Sequence, residues 1–237
     1  MATPRTARTA RERVREEMTA EILGVAREHL AREGAAALSL RSVARELELA
    51  PSALYRYFDG RDALLSALIM AAYESLAAEA ELAAERAPQA HETDSERWIE
   101  TPRAIRQWAL QRPHEWGLIF GTPVPGYEAP ADTVEPYARV AAALGRPVVE
   151  AKAAGRLHPD APSGAPRDEL RQAVAPVAEG LELDMPVQMV ARFVQAWATL
   201  VGIISLEVFG HWRNTILDPE AFFEATMHDV ARGLGLS

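Results

Sequence analysis

The chain has 237 residues, 49% hydrophobic and 25% charged, the balance of a globular protein and not of a disordered one. It contains no cysteine, which excludes disulfides, thiolate metal sites and a cysteine nucleophile. The net charge of −9 counts against a nucleic-acid partner only until it is divided, because residues 1–61 hold eleven arginines against nine acids, a balance of +2, and leave −11 for the remainder.

The N-terminus carries Arg5, Arg8, Arg11, Arg13 and Arg15 against Glu12 and Glu16, with no apolar stretch of the secretory kind. Residues 1–10 are expected to be a flexible basic arm. A first helix follows, with Val14, Met18, Ile22, Val25, Ala26 and Leu30 on one face and Gly34 closing it. Ser39 is placed to cap a second helix with Leu40, Val43, Ala44 and Leu47 at i, i+3, i+4 and i+7. Pro51 opens a third short helix carrying Leu54 and Phe58, which stops near Asp59-Gly60. A fourth helix continues to about Arg86, and the segment from Pro88 to Asp94 reads as a connection.

Helical spacing returns at Ser95–Arg112, from about Asp132 to Leu157, and at Arg167–Gly180. Pro159, Pro162, Gly164 and Pro166 mark a loop that is expected to be disordered. Pro186 opens a long helix reaching Phe209, and Pro219 opens the last, ending near Gly233. Sustained alternation of the strand type is missing, so the fold class is all-α. The least charged stretch, Phe193–Leu206, is too short for a membrane span, and a soluble, cytoplasmic chain without membrane contact is the expectation.

The informative feature lies at residues 39–58. Two helices of about two turns cannot stand alone, so they need the first helix as a lid over a core of Ile22, Val25, Leu30, Leu40, Val43, Leu47, Leu49, Leu54 and Phe58. The third helix would then present Ser52, Ala53, Tyr55, Arg56 and Tyr57 outward, small residues beside hydroxyls and a guanidinium that suit phosphates and base edges. Residues 11–65 resemble the N-terminal helix-turn-helix domain of the TetR family of bacterial transcriptional regulators. The resemblance rests on Ser39-Leu40-Arg41-Ser42-Val43-Ala44-Arg45-Glu46-Leu47 and on Leu54-Tyr55-Arg56-Tyr57-Phe58 followed by Arg61 and Leu64.

This chain has Glu48, Leu49 and Ala50 where the family usually has Gly, Val and Ser, and Tyr57 where it usually has His. Glutamate at a turn glycine either avoids a positive φ or bears strain. Arg41 and Arg56 are the candidates for guanine readout, Ala53 and Tyr55 for thymine methyls, and Ser39, Ser52 and Tyr57 for phosphates. Arg61 opens the fourth helix, where the macrodipole disfavours a cation. A helix N-terminus with an added arginine makes a phosphate clamp, the role the resemblance also implies.

Residues 1–60 are therefore expected to bind a double-stranded operator as one domain, and residues 61–237 to bind a small-molecule effector and dimerise. From Val187 to Phe209 the only charges are Arg192 and Glu207, so that helix must be covered nearly all round. A second copy, packed through helices at about 186–210 and 219–233, resembles the four-helix dimer bundle of the family. Trp197 to Gly202 resembles the signature of a subgroup named for a Trp-His-Gly motif, with Val201 in place of the histidine and Gly202 free to admit a close neighbour.

Met70, Tyr73, Trp108, Trp116, Phe120 and Tyr127 are the candidate effector-pocket residues, apolar groups amid proline-rich sequence. Nothing calls for a metal or cofactor. The competing readings are a helical enzyme and a protein-interaction module. The chain has no GxSxG, HExxH or P-loop pattern, so no catalytic residue is expected, and an interaction module would not need the arginine face.

Overall fold

In a computed structural model, the described residues are 9–128, 130, 133–158, 168–180 and 185–237. Residues 1–8 of the expected basic arm, and the expected disordered loop at 159–167, lie outside them. The described residues contain ten α-helices: α1 (Ala10–Glu33), α2 (Leu40–Glu46), α3 (Pro51–Leu54), α4 (Arg61–Ala90), α5 (Asp94–Gln111), α6 (Pro113–Phe120), α7 (Val134–Ala153), α8 (Asp168–Gly180), α9 (Val187–Val208) and α10 (Pro219–Gly233). They contain no strand, in agreement with the all-α expectation.

Two compact units form, one from residues 1–71 with 122–130 and the other from 72–121 with 131–237. In the first, Ile22, Ala26, Leu30, Leu40, Val43, Leu54, Phe58, Leu64 and Leu68 make the core. Val25, Leu47 and Leu49 are only half-buried at its margin. Val14, expected on the buried face of α1, is 60% exposed, because the first turns of α1 run beyond the core that covers its later ones.

In the second unit α5 packs on α7 and α10, and α9 packs on α5, α6, α8 and α10. Trp98, Trp108, Trp116 and Phe223 are fully buried there. Bidentate ion pairs tie the helices together, Arg103 to Glu224 at 2.8 and 2.6 Å and Arg106 to Glu207 at 2.8 and 2.7 Å. Arg156 grips Asp94 at 2.7 and 3.0 Å. The Arg156 guanidinium beside it holds the Asp94 carboxyl below the usual carboxylate range, against the opposing pull of burial.

Three local expectations shift. The helix α4 passes through Pro88 to Ala90, so the expected connection shrinks; a proline this near a helix end removes one amide bond from an alanine-rich run that otherwise favours helix. The helix α3 keeps α geometry for one turn and then tightens, with Arg56 and Tyr57 amides donating to the Ala53 and Leu54 carbonyls three residues back. Gly202, expected to admit a close neighbour, meets nothing within 4 Å in this chain, whereas a Cβ on Gly145 of α7 would sit 3.4 Å from the Phe193 ring of α9.

By length and composition α4 and α9 each hold a window apolar enough to cross a membrane. The least charged stretch of the sequence is thus part of a longer apolar window than it shows by itself. Within each window 44% is buried inside the chain.

Candidate nucleic-acid interface

The interface is built on two short helices with well-defined ends. Ser39 caps α2: its hydroxyl accepts from the Ser42 amide at 3.1 Å and pairs with the Ser42 hydroxyl at 2.9 Å. This positions α2 and leaves Arg41 exposed on its outer side. At the other end, Leu49 N–H donates to the Ala44 carbonyl at 2.9 Å and Glu48 N–H to the Arg45 carbonyl at 3.2 Å, the bond pair of a Schellman motif. The residue that must turn left-handed there is Glu48, at φ 55°. The turn therefore takes the glycine-like geometry and carries its strain, at about 1–2 kcal/mol for an L-residue.

Pro51 opens α3 and dispenses with an amide that the first turn would leave unbonded. Leu54 is fully buried beneath it, while Ser52 and Arg56 are exposed, Tyr55 is 51% exposed, and Ala53 and Tyr57 are half-buried. Seven of the expected contact residues, Ser39, Arg41, Ser52, Ala53, Tyr55, Arg56 and Tyr57, thus lie on α2, α3 and the turn that follows. An exposed tyrosine ring beside an arginine is unexplained by packing and suited to base edges and phosphates.

Arg61, expected as a phosphate clamp, has partners within the chain. Its Nε donates to the Leu38 carbonyl at 3.1 Å and an Nη donates to the Ala35 carbonyl at 3.0 Å, with Asp62 3.4 Å from the other nitrogen. The guanidinium thus pins the 3₁₀ turn at Ala35–Ala37 that feeds the Ser39 cap. The cation tolerates an unfavourable helix end because two carbonyls and a carboxylate accept from it.

Two features escaped sequence reasoning. The first is Arg15, which lies with its guanidinium carbon 5.6 Å from the centre of the Tyr57 ring, within cation–π range. Its segment is no loose arm from Ala10 onward, since Thr9 and Glu12 form a capping box: the Glu12 amide donates to the Thr9 hydroxyl at 3.3 Å and the Thr9 amide to the Glu12 carboxylate at 2.8 Å. The spacing Thr9-x-x-Glu12 is visible in the sequence and could have located this start. The second is His29, buried on α1, with its Nε2 2.7 Å from a Glu46 oxygen of α2, while Arg32 donates to both oxygens of that carboxylate at 3.2 and 2.9 Å. Burial pushes the Glu46 pKa up, but the hydrogen bonds and charges of Arg32 and His29 outweigh it and hold the carboxyl below its ordinary value.

Among the expected effector residues, the second unit brings together Tyr73, Trp116 and Phe120. Tyr73 meets Phe120 edge-on at 6.1 Å between ring centres, and Phe120 lies 4.4 Å from Trp116. Tyr137 and Trp197, which were not among the expected pocket residues, complete the group. They are 5.5 Å apart, and they meet Tyr73 and Phe120 at 5.9 and 6.1 Å, so that four rings form a closed circuit. Burial raises the Tyr73 hydroxyl to about 12 and pushes Tyr137 up as well.

Trp108 is buried apart from this circuit and donates to the Ser75 hydroxyl at 3.0 Å. Met70 and Tyr127 belong to the first unit. Met70 is half-buried there, and the Tyr127 hydroxyl lies 2.9 Å from that of Ser66.

Comparison with known proteins matches these two parts of the chain separately. Residues 22–68 match the model of bacterial regulatory proteins of the tetR family, and residues 98–230 match the tetracyclin repressor-like C-terminal domain. HTH-type transcriptional regulators of Mycobacterium bovis and Mycobacterium tuberculosis are 37% identical over 224 residues, covering 89% of this chain and 89% of theirs. Among solved structures, the regulatory protein SCO4313 is 35% identical with a TM-score of 0.75, over 94% of this chain and 98% of that one. A protein from Rhodococcus sp. RHA1 is 26% identical with a TM-score of 0.66, over 92% and 95%. The chain, with its capped α2, its outward-facing α3 and a helical C-terminal part that matches the family independently, belongs to the TetR family of DNA-binding transcriptional regulators.

Proposed function

We propose that the protein is a cytoplasmic repressor without enzymatic activity, which binds a palindromic operator as a homodimer and leaves it when a small molecule occupies the C-terminal part. Residues 1–60 act as the DNA-binding domain and residues 61–237 as the effector-binding and dimerisation domain. Each α3 enters a major groove, and the two half-sites lie about 34–36 Å apart or somewhat more. The observation that carries the reading is the exposure of Arg41, Ser52, Tyr55 and Arg56 together on α2, α3 and the turn that follows, above the buried Leu54.

Arg41 and Arg56 read bases, Ala53 and Tyr55 meet thymine methyls, and Ser39, Ser52 and Tyr57 hold phosphates, with Arg15 stacked on Tyr57 to add a cation. Arg61 serves this surface by fixing the backbone before α2. Dimerisation uses α9 and α10, where Leu206, Phe209 and Phe222 are 43%, 45% and 42% exposed in one chain and offer apolar area to a second. Placement in the Trp-His-Gly subgroup rests on Trp197 and Gly202.

Footprinting and a salt titration on the DNA upstream of the chain's own coding sequence test the proposal. A protected palindrome and a steep fall of affinity with salt are expected. Arg41→Ala and Arg56→Ala should each lose about 1–3 kcal/mol of operator affinity with relaxed base preference. Unchanged affinity in both variants, or a stable monomer in equilibrium sedimentation at micromolar concentration, would overturn it.

A further inference from the structure

The second unit has a cleft of about 310 Å³ between α7, α8 and α9, lined by Tyr137 and Ala138, Pro176 and Val177, and Phe193 and Trp197 among others. That volume is at the small end of the ~300–1,000 Å³ typical of ligand sites. Its chemistry differs from that of two other hollows among the described residues. The hollow beside α5 and α10 is lined by Arg103, Arg106, Glu220 and Glu224, and two of its guanidiniums are taken by carboxylates in bidentate pairs. The one in the first unit carries Asp62 and Glu128. Among the described residues, no ionisable acid or base other than the Tyr137 phenol lines the α7–α9 cleft, and the nearest guanidinium in sequence, Arg139, is engaged by both oxygens of Glu81 at 2.8 and 2.7 Å.

Two of the lining rings belong to the aromatic circuit. Tyr137 and Trp197 stand nearly perpendicular, at 85°, an arrangement that offers a ring edge and a ring face to a guest. Tyr137 is nevertheless 36% exposed and Val134, at the same cleft, 63%, so apolar surface that a core would bury faces solvent. A charged guest would lose its hydration and gain no counter-charge, while a flat apolar one would gain the area it covers.

We infer that the effector of this regulator is a neutral, planar aromatic molecule of one or two rings with at most one hydroxyl-type group, and that it binds between Tyr137, Val177 and Trp197. The inference deepens the effector step of the proposed function. Binding itself is read without DNA, so each can fail alone.

The test is isothermal titration of the full chain with three probes of one shape: 1-naphthol, which is neutral, 1-naphthoate and 1-naphthylmethylammonium. The neutral probe should bind about tenfold or more tightly than either ion. Ala138→Phe, which fills the cleft from α7, should weaken 1-naphthol by about tenfold or more. Val177→Glu should exchange the preference, losing 1-naphthol and gaining the ammonium probe, a result that a merely unfolded variant cannot give.

Equal binding of all three probes, no binding of 1-naphthol, or an unaltered Ala138→Phe would each overturn the assignment. A change of oligomeric state in Ala138→Phe without probe binding would give the cleft to a second copy of the chain instead. Probe binding in a protein that protects no operator would sink the regulatory reading and leave the cleft assignment standing.

Discussion

The two units use their polar groups in opposite directions. In the second, arginines are spent on the protein itself: Arg103, Arg106, Arg139 and Arg156 each close a bidentate pair with a carboxylate, over a core that buries three indoles. In the first, Arg41 and Arg56 extend from α2 and the end of α3 into solvent. Its cohesion comes from a small core, helix caps, the Glu46 contacts to His29 and Arg32, and the Arg61 anchor. The contrast teaches that an arginine's partner, more than its position in a charge count, tells whether it stabilises a fold or awaits a ligand. The net charge of −9 conceals both uses.

The largest effect is expected in the second unit. Trp116 is fully buried and donates to the Ser205 hydroxyl at 3.1 Å. Trp116→Ala should cost about 3–5 kcal/mol, seen as a lower denaturant midpoint. A loss below about 1 kcal/mol would mean that packing is not what holds this unit.

Arg61 sharpens the distinction between anchor and clamp. Arg61→Ala removes a charged donor from two carbonyls and should destabilise the first unit by about 2 kcal/mol. The slope of operator affinity against salt should stay as it was. A slope reduced by about one phosphate contact, with stability intact, would return this residue to the DNA-facing group.

Smaller effects follow from the turn and from the ion pairs. Glu48→Gly relieves the left-handed glutamate at the cost of extra freedom in the unfolded chain, and a net gain of about 0.5–1 kcal/mol is expected in thermal unfolding. No gain would show that the turn is held without strain. Asp94 has its folded pKa depressed by Arg156. Its contribution to stability is therefore present above the unfolded value near 3.9 and is lost as pH falls through the folded one. Asp94→Asn should flatten the acid limb of the stability profile below about pH 4, and an unaltered limb would assign the acid sensitivity elsewhere.

Much of the first unit was legible because its signals are local. The Ser39 cap, Pro51 at a helix start and the i, i+3, i+4 spacing of α2 each act within a turn or two of chain. The missing glycine at 48 also pointed directly to the strained position. For Arg61 the physical cue was sound, since a cation at a helix N-terminus does need a partner, and only the folded chain shows that carbonyls 23 and 26 residues earlier supply one.

The aromatic circuit was legible only by half. Tyr73 and Phe120 are among the expected pocket residues, whereas Tyr137 and Trp197 come from α7 and α9, and no spacing rule relates residues that meet through tertiary packing. Tyr127, grouped with these rings by composition, belongs to the first unit.

The segment after Ala50 that is proposed to read DNA has a single turn of α-helix before it tightens, and a segment so short has no helical stability of its own. Its shape rests on Leu54 and Phe58, seated in the core beneath it. Local opening of that core removes the reading surface in the same event. The surface proposed to read DNA therefore has no stability separate from that of the core under it.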